Sequence, residues 1–156
     1  MHMHKYEKIW LWSGAVCLTV FLLIVGVSAY AMGNQPPSHM ETIDPKEAAV
    51  TAPFDKPRMT KVGDQEYEAI MLAQAFTFTP SKMTVPKGST VHFKVTSTDV
   101  VHGFQIPSTN VNMMVTPGYV SKISYTFEEP GKYLILCNEY CGVGHQVMAV
   151  TLEVMS

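Results

Sequence analysis

The chain has 156 residues, 47% of them hydrophobic and 15% charged, with a formal net charge of −2. That length supports one domain with a real core plus an appendage. The mildly acidic balance, with no basic run or patch, excludes nucleic acid as a partner.

Ile9 to Met32 is a run of twenty-four residues without a charge, more than the ~20 that cross a bilayer as a helix. Trp10 and Trp12 at one end and Tyr30 at the other suit the two membrane interfaces. Lys5 and Lys8 precede the run, whereas Glu41 and Asp44 come before the next lysine, Lys46. The positive-inside rule then puts the N-terminus in the cytoplasm and everything beyond Met32 outside. A cleaved signal peptide is the rival, since Ala29-Tyr30-Ala31 fits a small-residue cleavage site, but the run is much longer than the apolar stretch of such a peptide. The sequence therefore predicts a tail and a single-pass anchor in the lipid bilayer of the cell membrane over residues 1–32, with Cys17 an inert residue within it.

Residues 33–66 read as a linker. Pro36, Pro37, Pro45, Pro53 and Pro57 fall in it among scattered charges, with no sustained period. One short helix is predicted over 44–50, with Asp44 as N-cap and Pro45 at the first helical position.

From Tyr67 the pattern changes to short strands punctuated by turns. Strands are predicted over 67–78, 82–85, 91–95, 101–106, 111–115, 123–127, 132–136 and 147–154. Val91, Phe93 and Val95 alternate with His92, Lys94 and Thr96, and Ile123, Tyr125 and Phe127 with Lys122, Ser124 and Thr126, the period of a half-buried strand. Thr79-Pro80, Pro86-Lys87-Gly88, Pro117-Gly118 and Pro130-Gly131 mark turns. Seven or eight strands over residues 67–156 without a helical period indicate a mainly β fold, a β-sandwich.

The chemistry is concentrated in Cys137-Asn138-Glu139-Tyr140-Cys141-Gly142-Val143-Gly144-His145-Gln146-Val147-Met148 and in His102 of Val100-Val101-His102-Gly103-Phe104. A disulfide between Cys137 and Cys141 would close a very small loop and leave the imidazole and thioether idle, though outside the cell it stays open to a metal-free chain. Structural zinc prefers paired C-x2-C knuckles and rarely takes methionine. Thiolate, imidazole and thioether together suit copper, and a mononuclear blue-copper site needs one Cys, two His and a weak Met. The second thiol is the extra feature: two thiolates on one loop can bridge two copper ions, each completed by one histidine.

The order H…C-x-E-x-C-G-x-G-H-x-x-M resembles the binuclear copper (CuA) domain of subunit II of haem–copper cytochrome c oxidases. Asp99-Val100-Val101-His102-Gly103-Phe104, Ala75-Phe76-Thr77-Phe78, Tyr125-Thr126-Phe127 and Tyr6-Glu7-Lys8 carry the likeness further, and a single anchor helix is similar to the B-type branch. The resemblance implies a cupredoxin-like Greek-key β-sandwich. It implies that Cys137 and Cys141 bridge two copper ions, that His102 and Met148 complete one, and that His145 and the backbone carbonyl of Glu139 complete the other. It further implies electron transfer from a cytochrome c to the haems of subunit I, where oxygen is reduced to water and protons are translocated. Phe76 and Phe78 match an aromatic pair at the family's electron-accepting surface, with core packing as the alternative. Glu7 matches a carboxylate that opens a proton path into subunit I, with an ordinary interfacial charge as the alternative. At Glu139 the B-type pattern has Gln; other branches have Glu there, whose carboxylate binds magnesium at the contact with subunit I, with a solvated or interface carboxylate as the alternative.

Val100 to Ser121 and Tyr140 to Leu152 hold no Asp, Glu, Lys or Arg, so an uncharged rim is expected around the copper loops. The same module would serve a nitric oxide reductase or a free-standing anchored copper carrier, and the subunit it travels with separates these readings.

Overall fold

The computed structural model describes residues 3–31 and 38–156, the side chains of 38–40 excepted. Met32 and residues 33–37, the end of the expected anchor and the start of the expected linker, lie outside the described residues. The chain divides into two compact units, Met1–Pro36 and Pro37–Ser156.

In the first unit, helix α1 runs Lys5–Ala31, 27 residues with no buried side chain. At about 1.5 Å per residue it spans roughly 40 Å, and its hydropathy meets the requirement for a membrane crossing. Its start is built from local chemistry. The Tyr6 N–H donates to His4 Nδ1 at 3.4 Å and the His4 N–H donates to Glu7 Oε2 at 3.3 Å. This is the reciprocal arrangement of a capping box, with histidine in the capping position, and Glu7 also sits favourably at the positive end of the helix. Trp10, Trp12 and Tyr30 are exposed along it.

The second unit is a sandwich of two sheets. Its strands are β1 (Ser38–Thr42), β2 (Arg58–Gly63), β3 (Glu66–Gln74), β4 (Thr77–Thr79), β5 (Lys82–Pro86), β6 (Ser89–Ser97), β7 (His102–Gln105), β8 (Asn112–Val115), β9 (Tyr119–Phe127), β10 (Gly131–Leu136) and β11 (Ala149–Met155). One sheet has the order β1-β9-β6-β3-β2, with β4 paired to β3; the other has the order β5-β11-β10-β7-β8. Pairing is antiparallel except between β3 and β6 and between β5 and β11. The alternating residues of β6 and β9 behave as their period requires: Val91, Phe93, Val95 and Phe127 face the space between the sheets and are buried. A run of aromatic contacts fills the centre, Phe78 edge-on to Phe104, Phe104 against Phe93, Phe93 against Phe127, and Phe127 between Tyr125 and Tyr133.

The linker expectation needs correction from residue 38 onward. β1 pairs with β9 and β2 pairs with β3, so the proline-rich stretch supplies two outer strands of one sheet. Ala48 and Phe54, both wholly buried, cover the outer face of β3 together with Ile70, Leu72 and Val120. This explains why β3 is apolar on both faces. Glu41 lies between Lys94 and Lys122, with Nζ–Oε separations of 2.8 and 2.5 Å. Hydrogen bonds from Lys122 and Lys94 hold its carboxyl below the usual glutamate range. The helix expected over 44–50 is reduced to one 3-10 turn, Ala48–Val50, while Asp44 Oδ1 accepts the Lys46 N–H at 2.9 Å.

The strand expected over 67–78 is also broken. It reverses at Ala75-Phe76, so that Gln74 pairs with Thr77 and Ala73 with Phe78. No glycine or proline announces that turn; it is held from outside by Asp99, whose Oδ2 accepts the Ala75 N–H at 2.6 Å.

Candidate metal centre

Three connections bring the predicted donors together at one end of the sandwich. β7 begins at His102, and it lies beside β10 with Leu136 opposite Gln105. Cys137 follows the last residue of β10. β10 and β11 run antiparallel with Leu136 opposite Ala149, so the next position outward faces Cys137 with Met148, and the Cys137 N–H donates to the Met148 carbonyl at 3.1 Å. Between these strands the loop closes through a 3-10 turn, His145–Val147. Gly142, at φ 130°, adopts a conformation that favours glycine.

The donor atoms converge. Cys137 Sγ is 3.8 Å from Cys141 Sγ, 3.8 Å from His102 Nδ1 and 3.1 Å from the Glu139 carbonyl oxygen. Cys141 Sγ is 3.7 Å from His145 Nδ1 and 3.6 Å from Met148 Sδ. His102, Cys137, Cys141 and Met148 are buried, and His145 is partly exposed. With metal–sulfur and metal–nitrogen bonds of about 2.3 and 2.1 Å, as a zinc-sized ion takes, a near-tetrahedral angle separates two donors by about 3.6–3.8 Å. The sulfur–sulfur and sulfur–nitrogen spacings are those of donors that share an ion, the Cys137–Glu139 carbonyl contact being shorter, and the soft donor set suits copper.

His102 is oriented by its other nitrogen. Nε2 lies 2.8 Å from Asp99 Oδ1, which leaves Nδ1 for the centre. Asp99 also accepts from the Val100 N–H at 2.7 Å and the Ser97 hydroxyl at 3.2 Å. Burial pushes its carboxyl up, but the hydrogen bonds from His102, Ala75 and Val100 outweigh that and hold it below the usual aspartate range. Burial and the neighbouring Cys137 thiol push the Cys141 thiol up to about 11, so in the metal-free chain it carries its proton at neutral pH and metal binding must displace it.

Phe76 closes the loop from above. Its position at the β3–β4 turn lays the ring against Gly142 and Gly144: a Cβ on Gly144 would lie 2.4 Å from Phe76 Cδ2, and one on Gly142 3.0 Å from Cε1. Gly144→Ala is therefore expected to lower stability by about 1–3 kcal/mol through overpacking. Phe76→Leu in the same chain should recover part of that loss, and denaturation midpoints of the single and double variants measure the coupling. This role for Phe76 could not be read from the sequence, because it depends on the unannounced turn. Phe78 takes the core-packing alternative. It is wholly buried against Phe104 in the core, so it is not part of a docking surface. Glu139 is exposed, with its backbone carbonyl turned to Cys137. Tyr140, Val143 and Val147 are exposed along the same loop, and the Tyr140 ring stands 5.9 Å from that of His145. Glu7 lies in the first turn of α1, in the other unit.

A cupredoxin-like sandwich with a buried two-thiol, imidazole and thioether cluster, on a chain with one long apolar helix, defines a membrane-anchored copper protein. Residues 59–155 match the family model described as cytochrome C oxidase subunit II, periplasmic domain. The chain is 40% identical over 153 residues to "Cytochrome c oxidase subunit 2" of Thermus thermophilus, covering 96% of this chain and 91% of the relative. A solved structure described as a heme-copper terminal oxidase dimer superposes with a TM-score of 0.82 at 32% identity, over 96% of this chain and 99% of its counterpart. The periplasmic domain of subunit II of cytochrome oxidase from Bradyrhizobium japonicum, at 19% identity and a TM-score of 0.53 over 57% of this chain and 83% of that one, shares the fold. The chain belongs to the cytochrome c oxidase subunit II family.

Proposed function

We propose that this chain receives electrons from a cytochrome c at a binuclear copper centre outside the cytoplasmic membrane and hands them to the haem-bearing subunit I of an oxidase, where oxygen reduction drives proton translocation. The observation that carries the reading is the pair of thiols 3.8 Å apart, each with its own imidazole within 3.8 Å. In this reading Cys137 and Cys141 would hold both copper ions, His102 and Met148 would complete one, and His145 and the Glu139 carbonyl would complete the other. A copper pair held this way supplies a one-electron carrier. The chain keeps the donors rigid through Asp99, Phe76 and the β10–β11 ladder, and keeps water from the buried sulfurs, which limits rearrangement on electron transfer. Electron paramagnetic resonance of the copper-loaded chain tests it: hyperfine structure from one electron shared by two coppers is expected, and a mononuclear blue-copper spectrum overturns it.

The anchored topology rests on α1, long and apolar enough to cross a membrane, and its orientation, N-terminus inside, on the lysine asymmetry around it. The exposed Val143 and Val147, in a stretch from Cys141 to Leu152 without Asp, Glu, Lys or Arg, favour docking by apolar contact. Cytochrome c association is then expected to change by less than about threefold between low and physiological salt, against the roughly 10–10³-fold of a steered encounter. Stopped-flow reduction across a salt series reads this, and a steep decline with salt would remove the apolar-docking idea. Exit toward subunit I runs by the Glu139–Tyr140 side of the loop, where the exposed Glu139 carboxylate would share a magnesium ion with that subunit.

Glu7 is assigned to proton uptake on the cytoplasmic side. Glu7→Gln keeps the acceptor that caps α1 and removes the ionisable group. It is expected to slow steady turnover of the assembled oxidase while copper reduction by cytochrome c stays at the native rate; unchanged turnover reduces Glu7 to a helix cap.

A further inference from the structure

Asn138 lies between two residues of the centre, yet its side chain is not one of the donors. It crosses β7 instead. Its Oδ1 lies 1.9 Å from the point where a Cβ on Gly103 would stand, and its Cγ and backbone nitrogen are each 2.9 Å from that point. The amide thus fills the side-chain space of Gly103, the neighbour of His102. On the far side its Nδ2 donates to Asn112 Oδ1 at 3.2 Å. Asn112 starts β8, opposite Gln105 on β7.

The position of this contact matters because the strand ladder is short there. β10 and β7 share a single register pair, Leu136 with Gln105, whereas β10 and β11 share six. The Cys loop is therefore well tied to the Met148 side and weakly tied by backbone to the His102 side. His102 and Cys137 still face each other across that junction at 3.8 Å. A short amide suits the gap: its oxygen lies over Gly103, its nitrogen donates across to Asn112, and it fits only over a residue with no Cβ.

We propose that Asn138 is a positioning residue: a strap laid over Gly103 and fastened to Asn112, which sets the separation of the His102 strand from the Cys loop. The copper half of the inference rests on the binuclear reading above, and the geometric half does not.

The test uses the full chain in detergent micelles and three variants, Asn138→Ala, Asn112→Leu and Asn112→Asp. In the copper-free chain, alkylation of Cys137 and Cys141 by iodoacetamide, located by mass spectrometry, should quicken severalfold in Asn138→Ala and Asn112→Leu as the loop loosens. Asn112→Asp keeps the acceptor and should alkylate at the native rate. In the copper-loaded chain the first two variants should lose copper to a chelator about tenfold faster, the lower end of what an outer-shell partner contributes, with a changed visible spectrum. Asn112 is exposed, so its variants test the strap even if Asn138→Ala folds poorly. Native alkylation rates in both Asn138→Ala and Asn112→Leu overturn the proposal. So does a native Asn112→Leu beside an altered Asn138→Ala, which would confine the effect to the loop. A native chain that fails to bind two coppers while the alkylation differences persist sinks the binuclear reading and leaves the strap standing.

Discussion

If the proposed binuclear centre holds, Cys141→Ser is expected to reduce copper loading from two ions to one and to turn the shared-electron paramagnetic spectrum into that of a single nucleus. In the sequence the residue is distinguished only as the second thiol of the loop. In the fold its sulfur is the point where the Cys137, His145 and Met148 donors meet, at 3.8, 3.7 and 3.6 Å. A serine oxygen is smaller and harder, and it holds its proton at neutral pH, so it bridges no soft metal. Removing an outer-shell partner costs about 10–100-fold in metal affinity or activity; losing one of the two thiol donors of the proposed centre should exceed that. The folded domain should survive, since a buried hydroxyl without a partner costs about 1–3 kcal/mol. Metal analysis and paramagnetic resonance on the same sample read both outcomes, and retention of two coppers would disprove the bridging role.

Phe104→Ala is expected to be the most destabilising single truncation around the site, by about 3–5 kcal/mol. Phe104 is wholly buried, packed between Phe78 and Phe93 with centroids at 5.5 and 5.3 Å, and it is two residues from His102 on the same short strand. Its loss opens a cavity where the two sheets meet under the centre, and rigid neighbouring rings collapse poorly into such a space. Chemical denaturation of the copper-free chain, followed by circular dichroism, gives the size of the effect. Phe76→Ala supplies the contrast: that ring is only half-buried, so its truncation should cost less while disturbing the Cys loop more. Equal losses in the two variants would show that burial does not govern this end of the domain.

The two phenylalanines also mark how far sequence reading reaches. Both stand in Ala75-Phe76-Thr77-Phe78, and period alone places them on one face of a single strand. The strand instead turns back at Phe76, because Asp99, more than twenty residues on, captures the Ala75 N–H. The same carboxylate orients His102. A local pattern cannot reveal a hydrogen bond made at that separation. Residues 38–63 resist sequence reading for a related reason: their prolines and scattered charges hide two edge strands and a buried Phe54, and edge strands need no alternation when the neighbouring sheet supplies their partners.

What was legible in the amino-acid order was set by short-range chemistry. A charge-free run of bilayer length satisfies its backbone in lipid as a helix, and α1 buries no side chain. Two-residue alternation between turn signals points to a sandwich, and two thiols, an imidazole and a thioether within twelve residues are the donor types that suit a soft metal. The rest came from packing across the chain. The sulfur–nitrogen spacings near 3.8 Å, the burial of Phe78, the closure of Phe76 over Gly142 and Gly144, and the crossing of Asn138 over Gly103 all join segments that the sequence keeps apart. Their positions follow from which strands lie side by side, a choice made by the whole core at once.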